Sequence, residues 1–242
     1  GSPFGTDFPQ HFQFTLTYFE AFKAGNFLPG WSSFENYGNG GIGIRIYPPL
    51  AHCLLALTQF ITGDWFTTIG VNFIFWMALG SWGIYLLARE WLSPVNSLFV
   101  GMLYAFAPYH LAQVFKDFLY SEFVAAAILP FFFFYLKRVC QKTDLKDVLK
   151  LGFFLALLIL SHIPTTIMGI ICFGIYTLIL FDWKKFSSIV PRLLLAGAIA
   201  VLGTSFYWIK LVTEIGLVNH SNPRYSTGYY TYSSHFFPRI HH

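Results

Sequence analysis

The sequence predicts an all-α protein that crosses a membrane several times. Its composition leads to this fold class, because 55% of the residues are hydrophobic, only 11% are charged and the mean hydropathy is +0.56. Soluble domains carry about 25% charged residues. Apolar runs such as 71–88 and 193–209 are also long enough to cover most of a hydrocarbon core about 30 Å thick. Together these properties exclude a soluble enzyme and a nucleic-acid-binding protein.

Glycine and proline residues divide the chain into its predicted elements. A surface helix is expected at 8–31, closed by Gly25, Pro29 and Gly30, and a glycine-rich turn region follows to residue 45. The apolar run 47–62 is short for a span, which needs about 20 residues. About six membrane-spanning helices are expected, at 65–88, 94–107, 118–136, 149–161, 164–181 and 193–209.

The basic residues predict which ends of the helices face the cytoplasm. If 47–62 does not cross the membrane, nine of the 15 Lys and Arg residues lie in short loops on one side, as the positive-inside rule requires. If 47–62 crosses, all nine lie outside, so we predict that it lies along the outer surface. These nine are Arg89, Lys137, Arg138, Lys142, Lys146, Lys150, Lys184, Lys185 and Arg192.

This topology makes the chain a multi-pass protein of the cell membrane. It divides into a first extracytoplasmic loop with interfacial helices (1–64), a helical bundle (65–210) and an aromatic extracytoplasmic loop (211–242). It requires 149–181 to be a hairpin of two helices rather than one helix kinked at Pro164, and we favour the hairpin. Because Gly1-Ser2 is not a natural start, we expect a longer protein with an N-terminal membrane anchor.

The three cysteines do not indicate a function for the chain. Cys53, Cys140 and Cys172 stand at unrelated spacings, which provide neither a metal motif nor a disulfide framework. The candidate site residues are therefore carboxylates, histidines and cations.

Asp7 and His11 place an acid and an imidazole four residues apart near the start of the chain. Asp7 precedes the first predicted helix, where a carboxylate can accept a hydrogen bond from a free backbone N–H and is favoured by the helix dipole. The second interpretation is functional: Asp7 is kept ionised at the membrane surface and accepts a proton during a reaction. The local sequence leaves both interpretations open.

Further polar residues lie on the same predicted outer side. Glu122 begins an apolar span, and an ionisable group at membrane depth usually lines a cavity or a pathway. His162 and Glu214 stand at the outer ends of spans, where a solvated interface residue is an equally good interpretation. The sequence therefore predicts that the carboxylates of Asp7 and Glu122, or of Asp7 and Asp117, open into one outward-facing cleft.

Seven short motifs follow one another along nearly the whole chain: Gly5-Thr6-Asp7-x-x-x-His11, Gly25-Asn26-Phe27-Leu28-Pro29-Gly30-Trp31, Tyr47-Pro48-Pro49-Leu50, Ala107-Pro108-Tyr109-His110, Ser121-Glu122-Phe123 with Leu129-Pro130, Leu160-Ser161-His162-Ile163-Pro164-Thr165, and Phe206-Tyr207-Trp208-Ile209-Lys210-Leu211-Val212-Thr213-Glu214. In these motifs the chain resembles the GT-C superfamily of membrane glycosyltransferases. It is more closely similar to the membrane family labelled 6-pyruvoyl-tetrahydropterin-synthase-related, a neighbour of the YfhO-type proteins.

The resemblance to GT-C enzymes implies that a sugar is transferred from a polyprenyl-phosphate donor to an extracytoplasmic acceptor, with the donor and membrane lipid as partners. An acidic residue of the first extracytoplasmic loop acts there as catalytic base or helps to bind a metal, and it maps onto Asp7. Asp117 and Glu122 correspond to the polar pair between the third and fourth spans. The resemblance leaves Mg²⁺ or Mn²⁺ open as a cofactor, but the first loop has no Asp-x-Asp pair, so no metal ligand is assigned.

The leaving phosphate of such a reaction needs positive charge or N–H donors. Cations near the outer surface can supply it, although anchoring to lipid headgroups explains them equally well. The predicted catalytic residues are Asp7, His11, Asp117 and Glu122, and the predicted substrate-binding residues are Arg45, His110, Lys116, His162, Glu214 and Arg224.

A second class of function stays open, namely a transporter or a non-catalytic assembly factor for lipid-linked or cell-envelope glycans. Transporters tend to show an internal repeat and a site at mid-membrane. The sequence has no visible repeat, and its polar residues cluster towards one face, which favours the enzyme. A zinc-dependent pterin synthase needs clustered histidines, whereas these histidines are scattered along the sequence.

Overall fold

The computed structural model describes residues 7–141, 144–180 and 183–217. Its helices, in chain order, are α1 (Phe8–Lys23), α2 (Gly43–Ile46), α3 (Leu50–Thr62), α4 (Trp65–Ala88), α5 (Pro94–Ala105), α6 (Pro108–Phe115), α7 (Tyr120–Gln141), α8 (Leu145–Ser161), α9 (Ile163–Leu180), α10 (Phe186–Gly203) and α11 (Ser205–Glu214). Within the described residues, extended pairing is limited to one isolated bridge between Ser32 and Gly41.

The predicted all-α, polytopic fold class is confirmed. In the described part of the chain, five segments are long and apolar enough to cross a membrane: Trp65–Ala88, Pro94–Phe115, Tyr120–Gln141, Ile163–Leu180 and Phe186–Gly203. The second of these joins α5 and α6 across the short break before Pro108. The remaining predicted span, 149–161, lies in α8, whose 17 residues extend about 25 Å.

The first helix is shorter than predicted, because it ends at Lys23 rather than near residue 31. Gly25 has a φ of +74°, a left-handed conformation that a side chain disfavours. There the chain turns back, and the Asn26 N–H donates to the carbonyl of Ala21 at 2.9 Å. Gly25, the first of the three residues predicted to end α1, is therefore sufficient to end it.

The last predicted span, 193–209, is also displaced along the chain. The helix there, α10, begins at Phe186 and ends at Gly203, and a separate α11 follows. Thr204 lies at the break, with φ −106° and ψ 8°, and its hydroxyl donates back to the carbonyl of Ala200 at 2.8 Å. Apolar residues resume at Phe206, directly after Gly203-Thr204-Ser205, so composition alone did not reveal the break.

The apolar run 47–62 becomes the 13-residue helix α3, which ends at Gly63. At about 1.5 Å per residue, α3 extends about 20 Å, less than a hydrocarbon core of about 30 Å. It packs on α1, where Ala56 contacts a small core with Phe14 and Tyr18. The length of α3 agrees with a helix that does not span a membrane, and its orientation to the membrane plane stays a prediction.

α7 is the central helix of the bundle. In its most apolar window 72% of the residues are buried, compared with 17% in α9 and in α10. It packs against α4, α8 and α9. Gly83 permits the close approach of α4, since a Cβ there would lie 2.7 Å from the Phe131 ring.

α8 and α9 form a hairpin rather than one kinked helix. His162 between them is extended, with φ −160° and ψ 112°. Leu151 and Leu155 of α8 line the same apolar cavity as Ile170 and Phe173 of α9, at similar distances along the chain from His162. Residues so placed meet only if the two helices run antiparallel.

Charged residues separate to the two ends of α7. At its C-terminal end Lys137 pairs with Glu90 at 3.3 Å, and Arg138 pairs with Asp147 at 2.9 Å. Glu122 lies in its first turn, 15 residues and thus about 22 Å from Lys137. The basic loops and the candidate site are therefore at opposite ends of the bundle.

Candidate functional site

Two histidines from different helices form a buried pair. His11 lies in the first turn of α1 and His52 in the first turn of α3. His11 Nδ1 and His52 Nε2 are 3.0 Å apart, and the rings stack with their centroids 5.2 Å apart. Only 4% of His11 and 1% of His52 are exposed. The packing of α1 on α3 thus joins two imidazoles that stand 41 residues apart.

Both imidazoles are held in the neutral form. The pKa of His11 is lowered to about 4, mainly by burial and to a smaller extent by the neighbouring His162. The pKa of His52 is held well below its ordinary value of 6.5, mainly by burial and to a smaller extent by His11. A neutral imidazole has one N–H donor and one acceptor nitrogen. One ring therefore donates to the other, and each retains a second nitrogen for another partner.

Aromatic rings enclose the histidine pair. Tyr47 packs edge-on against both imidazoles, with centroids 5.8 Å from His11 and 5.4 Å from His52. Phe118 lies 6.1 Å from His11 and is almost fully buried. Its φ of +53° places a bulky residue in the left-handed region, which costs energy and is often found at functional sites. This backbone conformation links α6 to α7 directly beside the pair.

Asp7 is at the N-cap position of α1, as predicted, and is exposed. Its carbonyl accepts from the His11 N–H at 3.1 Å, while its own N–H donates to the carbonyl of Asp117 at 3.3 Å. Among the described residues its carboxylate makes no cap hydrogen bond to the first turn of α1. The predicted neighbours Asp7 and Asp117 are thus adjacent through their backbones.

Glu122 lies in the first turn of α7, where the helix dipole favours a carboxylate. The Tyr109 hydroxyl donates a hydrogen bond to Glu122 Oε1. Burial raises the pKa of the Tyr47 phenol, and the negative charges of Asp7 and Glu122 raise it further. Both carboxylates therefore act on the same phenol.

An elongated cavity opens beside Glu122. It has a volume of about 480 Å³, within the range of small-molecule sites. Glu122, His110 and His162 line its polar end, and Leu129 and Phe133 line its apolar end. Neither Asp7 nor Asp117 is on its wall. Glu122 is therefore the predicted carboxylate that faces this cavity, and whether Asp7 opens into the same cleft stays a prediction.

Arg45 is engaged in an ion pair. Its Nη2 donates to Glu214 Oε1, joining α2 to α11, and the Tyr207 hydroxyl supports this junction by donating to the Ile46 carbonyl at 2.9 Å. Two predicted substrate-binding residues thus neutralise each other. The positive charge of Arg45 is less suited to a substrate phosphate than the sequence suggests.

Two other predicted cations have different positions. Lys116 is exposed at the end of α6, directly before Asp117. Arg224 lies outside the described residues. Lys116 is therefore the predicted cation that the structure brings to the Asp7 side of the site.

Sequence reasoning missed two functional candidates, His52 and Gln113. His52 stands alone in an apolar helix, a pattern that is also typical of a core histidine. Gln113 lines the cavity, with its Oε1 3.1 Å from His110 Nδ1 and its side chain buried. The available signal was weak: each is a polar residue within an apolar helical stretch.

Metal ligands are not brought together. In residues 7–141, 144–180 and 183–217, no group of three or more His, Cys, Asp or Glu side chains could hold a metal ion. The His11–His52 pair has two imidazoles but no third ligand of this kind in the same ranges. These residues do not fit a Mg²⁺ or Mn²⁺ centre, and we derive no step through a metal.

Comparison with protein families gives one match. Residues 44–238 match a family model described as 6-pyruvoyl-tetrahydropterin synthase related domain, membrane protein. The matched range contains His52, Glu122 and His162, while Asp7 and His11 precede it. Comparison with curated proteins and with solved structures finds no match.

Proposed function

The chain belongs to the 6-pyruvoyl-tetrahydropterin synthase related family of membrane proteins, and we propose that it transfers a sugar from a polyprenyl-phosphate donor, as GT-C glycosyltransferases do. One observation supports this proposal above the others. The negative charges of Asp7 and Glu122 both raise the pKa of the Tyr47 phenol, and Glu122 stands at the polar end of an amphipathic cavity. Carboxylates beside a lipid-sized apolar cavity suit a reaction between a sugar and a lipid carrier.

The proposed step is a substitution at the anomeric carbon. An oxygen of the acceptor forms a bond to this carbon, and the bond from the carbon to the donor phosphate oxygen breaks. The phosphate leaves with the bonding electron pair as polyprenyl phosphate, and the acceptor proton passes to Asp7. General-base assistance of this kind contributes about 10²–10⁴-fold to a rate. Glu122 positions the acceptor.

The leaving phosphate gains negative charge and needs a cation nearby. We assign this role to Lys116, because it is exposed and next to Asp117, whose carbonyl contacts Asp7. Arg45 is the weaker candidate, since its charge is paired with Glu214. Lys116→Met should therefore reduce transfer more strongly than Arg45→Met.

The test of the reaction is sugar transfer from a polyprenyl-phosphate sugar by the purified protein, with thermal stability measured on the same samples. Asp7→Asn should lower turnover by about 10²-fold or more, the size expected for a lost general base. Its melting temperature should hardly change, because Asp7 is exposed and its carboxylate makes no cap hydrogen bond to the first turn of α1. Glu20→Gln is the matched control, since Glu20 is an exposed α1 carboxylate paired only with Lys23 at 3.0 Å. Equal turnover in Asp7→Asn and Glu20→Gln contradicts the proposal.

The proposal also places the candidate site on the extracytoplasmic side. This orientation rests on the separation of the basic loops from Glu122 along α7. Single cysteines at Ser33 and Lys146, in a background without Cys53, Cys140 and Cys172, should react oppositely with an impermeant thiol reagent in intact cells. Labelling only at Ser33 is expected, and labelling only at Lys146 would reverse the proposed orientation.

A further inference from the structure

The cavity beside Glu122 is amphipathic along its length. Its wall follows α7 from Glu122 to Phe133, 11 residues and thus about 16 Å. Met168 and Cys172 of α9 continue the apolar end, and both side chains are exposed on the outer surface of the bundle. An occupant of matching polarity has a polar head at Glu122 and a hydrocarbon tail towards Phe133.

The polar end carries the wrong charge for a phosphate. Within the described part of the chain, Glu122 is the one charged side chain on the wall, and no Lys or Arg lines the cavity. Burial lowers the pKa of His162, so this imidazole does not supply a positive charge at pH 7. A phosphate beside Glu122 would meet a like charge without a counterion. The head of the occupant is therefore not an anion.

Gln113 defines the hydrogen-bonding character of the head. The residue is 1% exposed, and its Nε2 has no hydrogen-bond partner among the described residues. Its Oε1 is already 3.1 Å from His110 Nδ1. If the amide is turned by 180°, the oxygen is left without a partner instead. A hydroxyl satisfies either orientation, because it both donates and accepts.

Glu122 adds an acceptor to the same end of the cavity. Its carboxylate accepts from Tyr109, and a carboxylate has two oxygens with several lone pairs. A head with more than one hydroxyl can therefore donate to Glu122 and accept from Gln113 at the same time. Leaving a buried amide such as that of Gln113 unpaired is costly, which favours an occupied cavity.

We propose that this cavity binds a neutral, hydroxyl-bearing lipid, with its head between Gln113 and Glu122 and its tail along Leu129, Phe133 and Met168. As far as it concerns catalysis, this inference rests on the proposed function. In the proposed sugar transfer the bound lipid is the sugar acceptor, so both substrates of the transfer are lipids. The donor phosphate then lies outside the cavity, on the Lys116 side. For the transfer, a hydroxyl of the head has to reach the Asp7 carboxylate, which is not on the wall of the cavity.

The binding test uses native mass spectrometry on the full chain in dodecyldimethylamine oxide, a detergent whose head carries no hydroxyl. Monogalactosyldiacylglycerol, dioleoyl phosphatidic acid and methyl galactoside are added separately. The wild-type protein should retain the galactolipid at least about 10-fold better than the other two probes. Gln113→Leu should weaken this retention about 10-fold, the size of one lost buried hydrogen bond.

A second variant covers the case in which Gln113→Leu fails to fold. Met168→Trp enlarges an exposed residue on the apolar wall and should also displace the galactolipid. Met102→Trp is its control, since Met102 is similarly exposed, 53% against 60%, and lies outside the cavity. Equal retention by wild type, Met168→Trp and Met102→Trp overturns the inference. So does a preference for phosphatidic acid, or binding of methyl galactoside as tight as that of the lipid.

These measurements need neither donor nor turnover, so they separate this inference from the proposed function. Galactolipid retention that is lost in Met168→Trp, together with absent sugar transfer, would reject the enzyme and keep the lipid site. Sugar transfer without selective retention would reject the lipid site and keep the enzyme.

Discussion

Acidification should destabilise this protein through its buried histidine pair. The pKa of His11 is about 4 in the folded chain, against 6.5 for an exposed imidazole. The unfolded chain therefore binds more protons between these values, and the free energy of unfolding falls as the pH is lowered through 6.5 towards 4. His52 contributes with the same sign, since burial also lowers its pKa.

The expected loss can be worked out from the His11 pKa. One unit corresponds to about 1.36 kcal/mol, so lowering the pH from 7.5 to 5 removes about 2 kcal/mol through His11. The loss through His52 has the same sign and adds to this amount. At about 2–4 °C per kcal/mol for a chain of this size, the loss through His11 alone should lower the melting temperature by about 4–8 °C.

The assay is thermal unfolding in detergent at pH 7.5 and at pH 5, followed by intrinsic fluorescence. The double variant His11→Gln, His52→Gln removes both titrating groups and keeps polar side chains at both positions. It should be less stable than wild type at pH 7.5 but lose less than half as many degrees on acidification. His162 still titrates in the double variant, so a small loss remains. The reasoning is refuted if wild type and the double variant lose the same number of degrees.

Two further predictions concern packing and charge. Gly152→Leu should lower the melting temperature by several degrees, because a Cβ there would lie 2.9 Å from the Ala196 carbonyl oxygen and would push α8 away from α10. Gly174→Leu is the control: a Cβ at Gly174 would have no atom within 4 Å, so the melting temperature should change little. Arg45→Gln should destabilise the protein by leaving Glu214 without its partner, and adding Glu214→Gln should recover about 1 kcal/mol. Additive losses in the Arg45 and Glu214 variants would show that the pair contributes nothing.

The sequence was sufficient for the features that depend on local pattern. Long apolar runs predicted the spans, and Gly25 marked the end of α1 more closely than Pro29 did. Such signals act within a few residues, so a single chain contains all the information they need.

Features that depend on contact between distant helices were not predictable in this way. His52 is paired with His11 only because α1 crosses α3 at those residues, and no local pattern reports such a crossing. Arg45 looked like a free cation for the same reason, since its partner Glu214 is 169 residues away. Among the described residues the Nε2 of Gln113 has no hydrogen-bond partner, which no local pattern reports either. Its burial is a tertiary property as well.

The junction of α2 with α11 sets an order of events during synthesis. Arg45 meets Glu214, and Ile46 accepts from Tyr207, across separations of 169 and 161 residues. Chains are made from the N-terminus, and earlier segments fold first where their partners are present. The segment around α2 therefore waits, after its own synthesis, until every membrane helix between it and α11 has been inserted. A ribosome that stalls before α11 would leave Arg45 without its partner, and the quality-control machinery could distinguish such a chain from a finished one.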